Sequence, residues 1–370
     1  MEKKKILIIC RSFYPEISPR SFRATELAKE FARQGHDVTV CFPVNNRDYS
    51  EFGKEYKLKI KDLGKMKFKN VELKGGRIEY FLRRVLRRCL QFFFEYPDIE
   101  LMFKVAKVPE KERGYDMLIS IAVPHSIHWG VAKVWDKKNI AKVWIADCGD
   151  PYMLARLDTF KHPFYFKYFE KKFCRKADFI TVPTEGAKKA YYPEFHNKIK
   201  VIPQGIRIDT LNLPEYKKTN VYPVFAYAGG FIPGKRDPRP FLNYLINSKY
   251  EFRFVVFTGQ AELIKPYAEI LCNRLEIRNI VPREELLKIL STMDFLVNFD
   301  NNTDEQIPSK LIDYAVTGRP VLNIKSKIDK KIIKEFLEGD YTHKIPLNPQ
   351  LYDIRNIVKE FISLSDSFTL

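Results

Sequence analysis

The chain has 370 residues, 64 of them basic and 46 acidic, which gives a formal net charge of +18. A chain of this length exceeds one comfortable hydrophobic core, so two domains are expected. The hydrophobic fraction of 45% excludes a disordered chain, and no apolar run approaches the roughly 20 residues of a membrane-spanning helix. The charge indicates an anionic partner (nucleic acid, a membrane surface or a small molecule), or else a surplus of surface lysine without a function.

The amino terminus and the cysteines both favour the cytoplasm. The opening MEKKKILIIC has an apolar run that Arg11 ends after five residues, too short for a signal peptide, so it predicts a first β-strand. The six cysteines are scattered without a CxxC pair or any metal-ligand spacing. We therefore expect free thiols in a reducing compartment, and no metal site.

Short apolar strands alternate with helical patterns, which is typical of α/β proteins with parallel sheets and crossover helices. The predicted strands are Ile6–Cys10, Val38–Phe42, Met117–Ile121, Val143–Ala146, Phe179–Val182, Val224–Ala228, Phe254–Phe257, Phe295–Phe299 and Val321–Ile324. Pro203 and Gly205 punctuate the pattern between the two halves. We predict domains over 1–203 and 204–350, and a final helical segment over 351–370.

The most informative segment is EQIPSKLIDYAVTGRPVL, which begins at Glu305. Seven residues separate Glu305 from a second acid, Asp313, and the apolar spacing after Pro308 predicts a helix packed on a core. Free backbone N–H groups at the start of this helix would suit a phosphate, and Asp313 would then reach a ribose hydroxyl. These N–H groups belong to Ser309, Lys310 and Leu311. An ordinary capped helix is the alternative.

The spacing of Glu305 and Asp313 is similar to the E-x7-E nucleotide-sugar motif of retaining family 4 glycosyltransferases, with Asp as the second acid. The loop YAGGFIPGKRDP resembles the family's G-R-x-x-x-x-K-G loop. Gly229 and Gly230 permit close backbone approach, and Lys235 takes the lysine position, where it would reach a phosphate. Gly230 stands where the family usually has arginine, and Arg236 where it has glycine.

Other segments carry the same resemblance in the same order along the chain. Ile277–Val281, with Ile280, matches a strand and loop near the nucleotide base. The opening strand, loop and helix resemble the family's start, although Ser18 and Pro19 replace a Gly-Gly pair. We infer that Arg20 supplies the missing phosphate donors. At predicted strand ends in the first half stand the candidates for chemistry: His128, Asp147 and Asp150.

The resemblance implies a GT-B fold: two Rossmann-like doubly wound domains that face a cleft, with the last helix crossing back to the first domain. The first domain would bind the acceptor and the second the nucleotide sugar. It further implies sugar transfer from a nucleotide-diphosphate sugar, with retention of configuration and without a metal or other cofactor. Glu305 would hold sugar hydroxyls and stabilise developing positive charge. The acceptor would be a glycan or lipid-linked saccharide in bacterial surface polysaccharide synthesis.

A separate pattern predicts a basic amphipathic helix over Arg77–Phe94. Apolar side chains from Ile78 to Phe93 recur at helical spacing, and arginines gather on the other face. The pattern suits an anionic membrane surface, and we expect a peripheral protein on the inner face of the cell membrane. A helix packed on the core, with a solvated basic face, is the alternative.

Two rival functions remain open at this point. A nucleotide-sugar epimerase would use the same fold without an acceptor, and incubation with the donor alone would separate it from a transferase. A non-catalytic nucleic-acid-binding protein would explain the charge of +18. The positive residues are dispersed and form no nucleic-acid motif, so no nucleic acid is expected as a partner.

Overall fold

The computed structural model describes residues 2–137, 139–155, 161–300 and 310–368. These residues contain two parallel sheets, connected by helices. The strands are β1 Lys5–Ile9, β2 Asp37–Phe42, β3 Leu58–Asp62, β4 Tyr115–Ile121, β5 Ala141–Asp147, β6 Phe179–Val182, β7 Ile199–Val201, β8 Val224–Ala228, β9 Arg253–Phe257, β10 Leu275–Arg278, β11 Phe295–Phe299 and β12 Val321–Ile324. The α-helices are α1 Pro19–Arg33, α2 Ser50–Tyr56, α3 Arg77–Phe94, α4 Glu100–Val105, α5 Ser126–Val134, α6 Phe166–Lys176, α7 Glu185–Lys189, α8 Arg239–Ile246, α9 Lys265–Leu271, α10 Arg283–Ser291, α11 Lys310–Thr317, α12 Lys330–Leu337 and α13 Ile354–Phe368.

The described residues divide into two compact units. The first runs up to Gly205 and resumes at Ile354, and the second runs from Ile206 to Asp353. The change of unit near Gly205 lies within the segment where proline and glycine interrupt the sequence pattern. Each unit has its own sheet and its own hydrophobic core.

The first unit is built on a seven-stranded sheet with the order β3-β2-β1-β4-β5-β6-β7. Side chains alternate between the two faces of β1, because successive residues of a strand point to opposite sides. Leu7 and Ile9 belong to the core that includes residues of α5 and α6. Ile6 and Ile8 belong to the core that includes residues of α1 and α13. A sheet buried on both faces explains the continuous apolar run that the sequence shows.

The last helix, α13, belongs to the first unit, so the expected return of the chain is confirmed. Phe361 is fully buried there, and its ring lies 6.3 Å from the ring of Phe31 in α1. The guanidinium of Arg23, also in α1, lies 5.3 Å from the centre of the Phe361 ring. An arginine over an aromatic face is an attractive arrangement, so α13 is fixed by both apolar and cation–π contacts.

The second unit is built on a five-stranded parallel sheet with the order β10-β9-β8-β11-β12. Its core is rich in aromatic residues: the ring of Phe225 stacks 4.4 Å from Phe295 and 4.9 Å from Phe254. These residues come from three adjacent strands, β11, β8 and β9. The strand order reverses its direction of growth between β8 and β11. In open α/β sheets ligands bind at such a switch point, beside the carboxyl ends of the strands.

The sequence predicts the central strands and misses two of the first sheet's strands, β3 and β7. In β3 the lysines Lys59 and Lys61 alternate with apolar residues, and β7 has only three residues. Both strands lie at the edges of the sheet. Short or charged strands are usual at edges because they discourage further pairing, and the same features weaken the apolar signal.

The amphipathic helix α3 has the predicted bounds, Arg77–Phe94, but none of its residues is buried. Ile78 is 78% exposed and Phe81 is 62% exposed. The alternative of a helix packed on the core is therefore wrong. Among the helices of the described residues, none is long and apolar enough to cross a bilayer.

We predict that Phe361→Ala destabilises the first unit by about 3–5 kcal/mol, because it removes a fully buried ring and leaves a cavity. Phe368→Ala is the matched control in the same helix, since Phe368 is 50% exposed. Urea denaturation followed by circular dichroism measures both. Equal, small losses in the two variants would contradict the account of how α13 packs.

Candidate functional site

A cavity of about 410 Å³ lies in the second unit, beside the carboxyl ends of β8 and β9. Its volume falls within the range of small-molecule sites, about 300–1,000 Å³. Apolar residues of α10 form part of its wall, and α11 contributes polar residues. The lining residues are Ala228, Gly229, Gly230, Phe257, Gly259, Gln260, Ile280, Val281, Leu286, Leu290, Lys310, Asp313 and Tyr314.

Two glycines after β8 bring bare backbone to the cavity. Gly229 has φ of +148°, and a Cβ there would lie 3.1 Å from the hydroxyl of Tyr227. A Cβ on Gly230 would lie 3.2 Å from the Gln260 side-chain oxygen. The Tyr227 hydroxyl donates to the Gly230 carbonyl at 2.7 Å, and Gln260 accepts from the Phe231 N–H at 2.6 Å. These bonds hold the loop in place, so that backbone without side chains lines this part of the cavity.

Asp313 lies in the first turn of α11 and lines the cavity, as expected for a residue that reaches a ribose. The structure adds a partner that the sequence did not predict. Arg283, at the start of α10, donates from Nε to one Asp313 oxygen at 2.9 Å, and its Nη2 contacts the same oxygen. One carboxylate oxygen is therefore held, which orients the other.

The neighbouring residue Tyr314 ties α11 to β8. Its hydroxyl is buried and accepts a hydrogen bond of 2.9 Å from the Ala228 N–H. This N–H belongs to the last residue of the strand. The helix start and the strand end, which both line the cavity, are thus joined directly.

The side chain of Lys310 is the least expected feature of the cavity. Its Nζ is buried, has no hydrogen-bond partner among the described residues, and lies 4.1 Å from the centre of the Tyr227 ring. Burial lowers the pKa of Lys310 well below its ordinary value, and the charge of Arg236 lowers it further. A cation without a carboxylate partner in this part of the chain favours an anionic ligand.

The remaining residues predicted to bind the nucleotide sugar differ in placement. Lys235 is exposed on the loop after β8, whereas Arg236 is half-buried and close enough to influence Lys310. Ile280 lines the cavity although it is 75% exposed. The Leu311 side chain is buried in the core, so only its backbone is available to a ligand. Glu305 and Ser309 lie outside the described residues, and their roles stay predictions.

In the first unit, Asp147 ends β5 and is almost fully buried. Arg23 donates to both of its oxygens, from Nη2 at 2.8 Å and from Nε at 3.1 Å, and the Thr181 hydroxyl donates at 2.7 Å. Burial alone would raise the pKa of Asp147, but the charge and hydrogen bonds of Arg23 outweigh it and lower the pKa. These are the contacts of a structural ion pair, and a catalytic role for Asp147 stays a prediction.

His128 is fully buried within α5. Its Nδ1 lies 2.8 Å from the Ser120 hydroxyl, and its Nε2 lies 3.4 Å from the Cys148 sulfur. Burial lowers the pKa of His128 to about 3, so the ring is neutral near pH 7. Both ring nitrogens are occupied by protein groups, which is typical of a structural histidine. A catalytic role for His128 stays a prediction.

Asp150 is the exposed member of the predicted catalytic set. Its charge acts on Arg20, whose guanidinium lies against Gly149: a Cβ at that glycine would be 2.2 Å from the Arg20 guanidinium carbon. Arg20 also lies 4.0 Å from Asp147, and only a fifth of its side chain is exposed. Arg20 and Asp150 thus form the accessible polar group beside β5. Both residues belong to the first unit.

Three comparisons bear on the class of protein. The sequence profile of Glycosyltransferase Family 4 matches residues 22–210, while no curated protein sequence matches the chain significantly. The fold is similar to a glycosyltransferase from Rickettsia africae ESF-5, with a TM-score of 0.65 and 10% identity over 100% of this chain and 99% of that chain. It is also similar to Anabaena Alr3699/HepE in complex with UDP and glucose, with a TM-score of 0.61 and 12% identity over 98% and 100% of the two chains.

A third solved structure, the lipopolysaccharide outer core galactosyltransferase WaaB, has a TM-score of 0.57 and 14% identity over 99% of this chain and 98% of its own. At these identities the likeness concerns the fold. The profile match spans half of the chain and concerns the family. The chain belongs to Glycosyltransferase Family 4, and its two parallel-sheet domains have the GT-B fold. The predicted family and fold class are confirmed.

We predict that Asp147→Ala destabilises the protein by about 3–5 kcal/mol, because it leaves Arg23 buried without its partner. Asp150→Ala is the control and should cost less than about 1 kcal/mol, since Asp150 is exposed. Chemical denaturation at pH 7 measures both losses. An equal cost for the two variants would contradict the structural ion pair.

The pH dependence of the Asp147 variant adds a second readout. The folded-state pKa of Asp147 lies below that of the unfolded chain, so its contribution is present above the ordinary aspartate pKa of about 3.9. The contribution is lost as the pH falls through the folded-state value. The difference in free energy of unfolding between wild type and Asp147→Ala should therefore decrease only in strong acid.

Proposed function

We propose that this protein is a nucleotide-sugar-dependent glycosyltransferase that transfers a hexose-type sugar with retention of configuration. The donor is a nucleotide-diphosphate sugar, and the acceptor is a glycan or lipid-linked saccharide in surface polysaccharide synthesis. The observation that carries the proposal is the cavity of the second unit. It combines bare glycine backbone, the start of a helix, a held carboxylate and an unpartnered ammonium group.

Each of these groups fits one part of a nucleotide-diphosphate sugar. The N–H groups at the start of α11 and the positive end of the helix dipole suit a diphosphate. The glycine backbone at Gly229 lets the phosphates approach closely. The Asp313 oxygen that Arg283 leaves available suits a ribose hydroxyl. The exposed Ile280 can cover a base without specifying which base it is.

The same groups suit the chemical step. As the bond to the sugar breaks, negative charge grows on the diphosphate and the sugar becomes oxocarbenium-like. Lys235, Arg236 and the start of α11 would stabilise the diphosphate, a role that needs no metal ion. Glu305 would stabilise the positive charge on the sugar, as the family resemblance implies.

The choice of donor and acceptor class draws on relatives of the same fold. HepE from Anabaena was solved with UDP-glucose and with UDP and glucose, and WaaB is a lipopolysaccharide galactosyltransferase. The HepE complexes support a nucleotide sugar as donor, and the name of WaaB supports an acceptor from a surface polysaccharide. We place the acceptor in the first unit, beside Arg20 and Asp150.

We expect one class among UDP-, GDP-, ADP- and dTDP-sugars to raise the melting temperature of the wild type, and the same donor to support transfer to a saccharide acceptor. Glu305→Gln should keep this thermal shift and lose most transfer activity, since its charge acts mainly on the reacting complex. Differential scanning fluorimetry and a product assay measure the two effects.

Three results would count against this assignment. Transfer by Glu305→Gln within a few-fold of wild type would remove Glu305 from the mechanism. Conversion of the donor to an epimer without an acceptor would replace the transferase with an epimerase. Salt-sensitive binding to random RNA, without a thermal shift from any nucleotide sugar, would indicate a nucleic-acid-binding protein instead.

We also propose that the protein works on the inner, cytoplasmic face of the membrane, held there by α3. The apolar side chains of this helix are exposed along one face, and Arg84, Arg87 and Arg88 lie on the other side. Arg83 forms an ion pair with Glu79 of the same helix, at 2.7 Å, and this pair partly neutralises its charge. An apolar face flanked by cations is complementary to an anionic lipid surface, where each arginine contributes about 1 kcal/mol.

The double variant Arg84→Glu and Arg87→Glu should release the protein from vesicles that contain anionic lipid and leave its thermal response to nucleotides unchanged. The control variant Lys330→Glu and Lys331→Glu makes the same change of net charge at two exposed residues of α12. Sedimentation with vesicles measures binding. Retention of both variants, or equal release of both, would show that α3 has no specific role at the membrane.

A further inference from the structure

The unpartnered lysine in the cavity has a consequence beyond the binding of a nucleotide sugar. Lys310 is the first residue of α11, so its backbone N–H lies in the helix turn whose N–H groups lack intrahelical acceptors. Its Nζ is buried at the same cavity, over the Tyr227 ring. One residue therefore presents two kinds of donor to a single ligand.

The groups that face Lys310 do not neutralise it. Tyr227 of β8 contributes the face of its ring, and Arg236 contributes a like charge. Asp313, one turn along α11, is paired with Arg283 of α10. The hydroxyl of Tyr314 is engaged by the Ala228 N–H. Among the described residues, the side chain thus lies over one aromatic ring and near one like charge, and the nearby carboxylate of Asp313 is held by an arginine.

The sequence of the loop after β8 explains why such a lysine is needed. Family members usually carry an arginine where this chain has Gly230, and a Cβ there would meet the Gln260 oxygen at 3.2 Å. Little room remains for a longer side chain at that position. The Lys310 side chain, on α11, reaches the cavity beside Gly229 instead.

We propose that the Lys310 side chain is a third phosphate-binding cation of this site, beside Lys235 and Arg236, and takes up a proton when the diphosphate binds. This inference rests on the function proposed above. The proton passes from solvent to Nζ as the diphosphate enters, and it returns to solvent when the nucleoside diphosphate leaves. No other bond forms or breaks in the step.

The pKa of Lys310 sets the direction of the effect. In the free protein burial lowers this pKa well below its usual value, and a bound diphosphate raises it again by attraction. Between the two values, binding requires a proton. The affinity for a nucleoside diphosphate therefore falls as the pH rises through this interval. A lysine that is already protonated in the free protein would show no such dependence.

The test is isothermal titration calorimetry with the nucleoside diphosphate of the preferred donor at pH 8, in two buffers with different ionisation enthalpies. At this pH an ordinary lysine, with a pKa of about 10.4, and a terminal phosphate, with a pKa of about 6, exchange few protons. The wild type should take up as much as about one proton for each nucleotide bound. The buffer-dependent part of the enthalpy measures this number.

Three variants separate charge from proton uptake. Lys310→Met should weaken binding by about tenfold or more, with no proton uptake. Lys310→Arg keeps the charge without titrating, so it should bind without uptake. Lys288→Met is the control, because Lys288 is exposed on α10, and it should behave as the wild type does. Thermal melts of the free variants check that each one folds.

The outcomes are distinct. Wild-type binding without proton uptake, or unchanged affinity in a folded Lys310→Met, overturns the inference and leaves the proposed function in place. Failure of the wild type to bind any of UDP, GDP, ADP or dTDP overturns the proposed function and this inference together.

Discussion

Parallel strand pairing is the constraint on which the candidate site depends. Because every strand of the second sheet runs in the same direction, the carboxyl ends of all five meet at one edge. Gly229 and Gly230 follow β8 at that edge, and Gln260 follows β9. The start of α11 reaches the same edge, and the bond between Tyr314 and Ala228 fixes it there. No single one of these residues makes a nucleotide site, but the topology brings them to one cavity.

The two units differ in whether a buried ionisable side chain has a hydrogen-bond partner. In the first unit the Asp147 carboxylate is buried together with Arg23, and their hydrogen bonds satisfy both partners. In the second unit the side-chain nitrogen of Lys310 is buried without a hydrogen-bond partner among the described residues. Burial of an isolated charge is costly, and a buried group tends to shift its pKa instead. A stable core requires buried charges to be paired, as Asp147 and Arg23 are. A buried lysine without a hydrogen-bond partner is suited to a site that binds an anion.

The sequence predicted most of the fold because the central strands are buried on both faces and are apolar throughout. The two edge strands of the first sheet escaped prediction because β3 carries lysines and β7 is very short. The bounds of α3 were predicted correctly from its periodicity alone. That periodicity could not decide whether the apolar face is covered, since an exposed and a buried amphipathic helix share one pattern.

The site was predictable only in part. The motif spacing placed Asp313 at the start of a helix and the glycines after a strand, which are the positions found in the cavity. Arg283 is far in sequence from its partner Asp313, and Tyr227 is far in sequence from Lys310, so each pair is close only in the fold. The sequence signal available for Arg283 was its position directly after Pro282, in the first turn of a helix. Asp147 ends β5 and Asp150 follows it three residues later, and no sequence pattern distinguishes the buried carboxylate from the exposed one.

The central claim is that the nucleotide part of the donor occupies the cavity of the second unit. Hydrogen–deuterium exchange, with and without the preferred nucleoside diphosphate, tests it most directly. The account predicts slower exchange in peptides that contain Gly229–Phe231 and the start of α11, and unchanged exchange in β1 and β4 of the first unit. Protection confined to the first unit, with none at Gly229–Phe231, would contradict it.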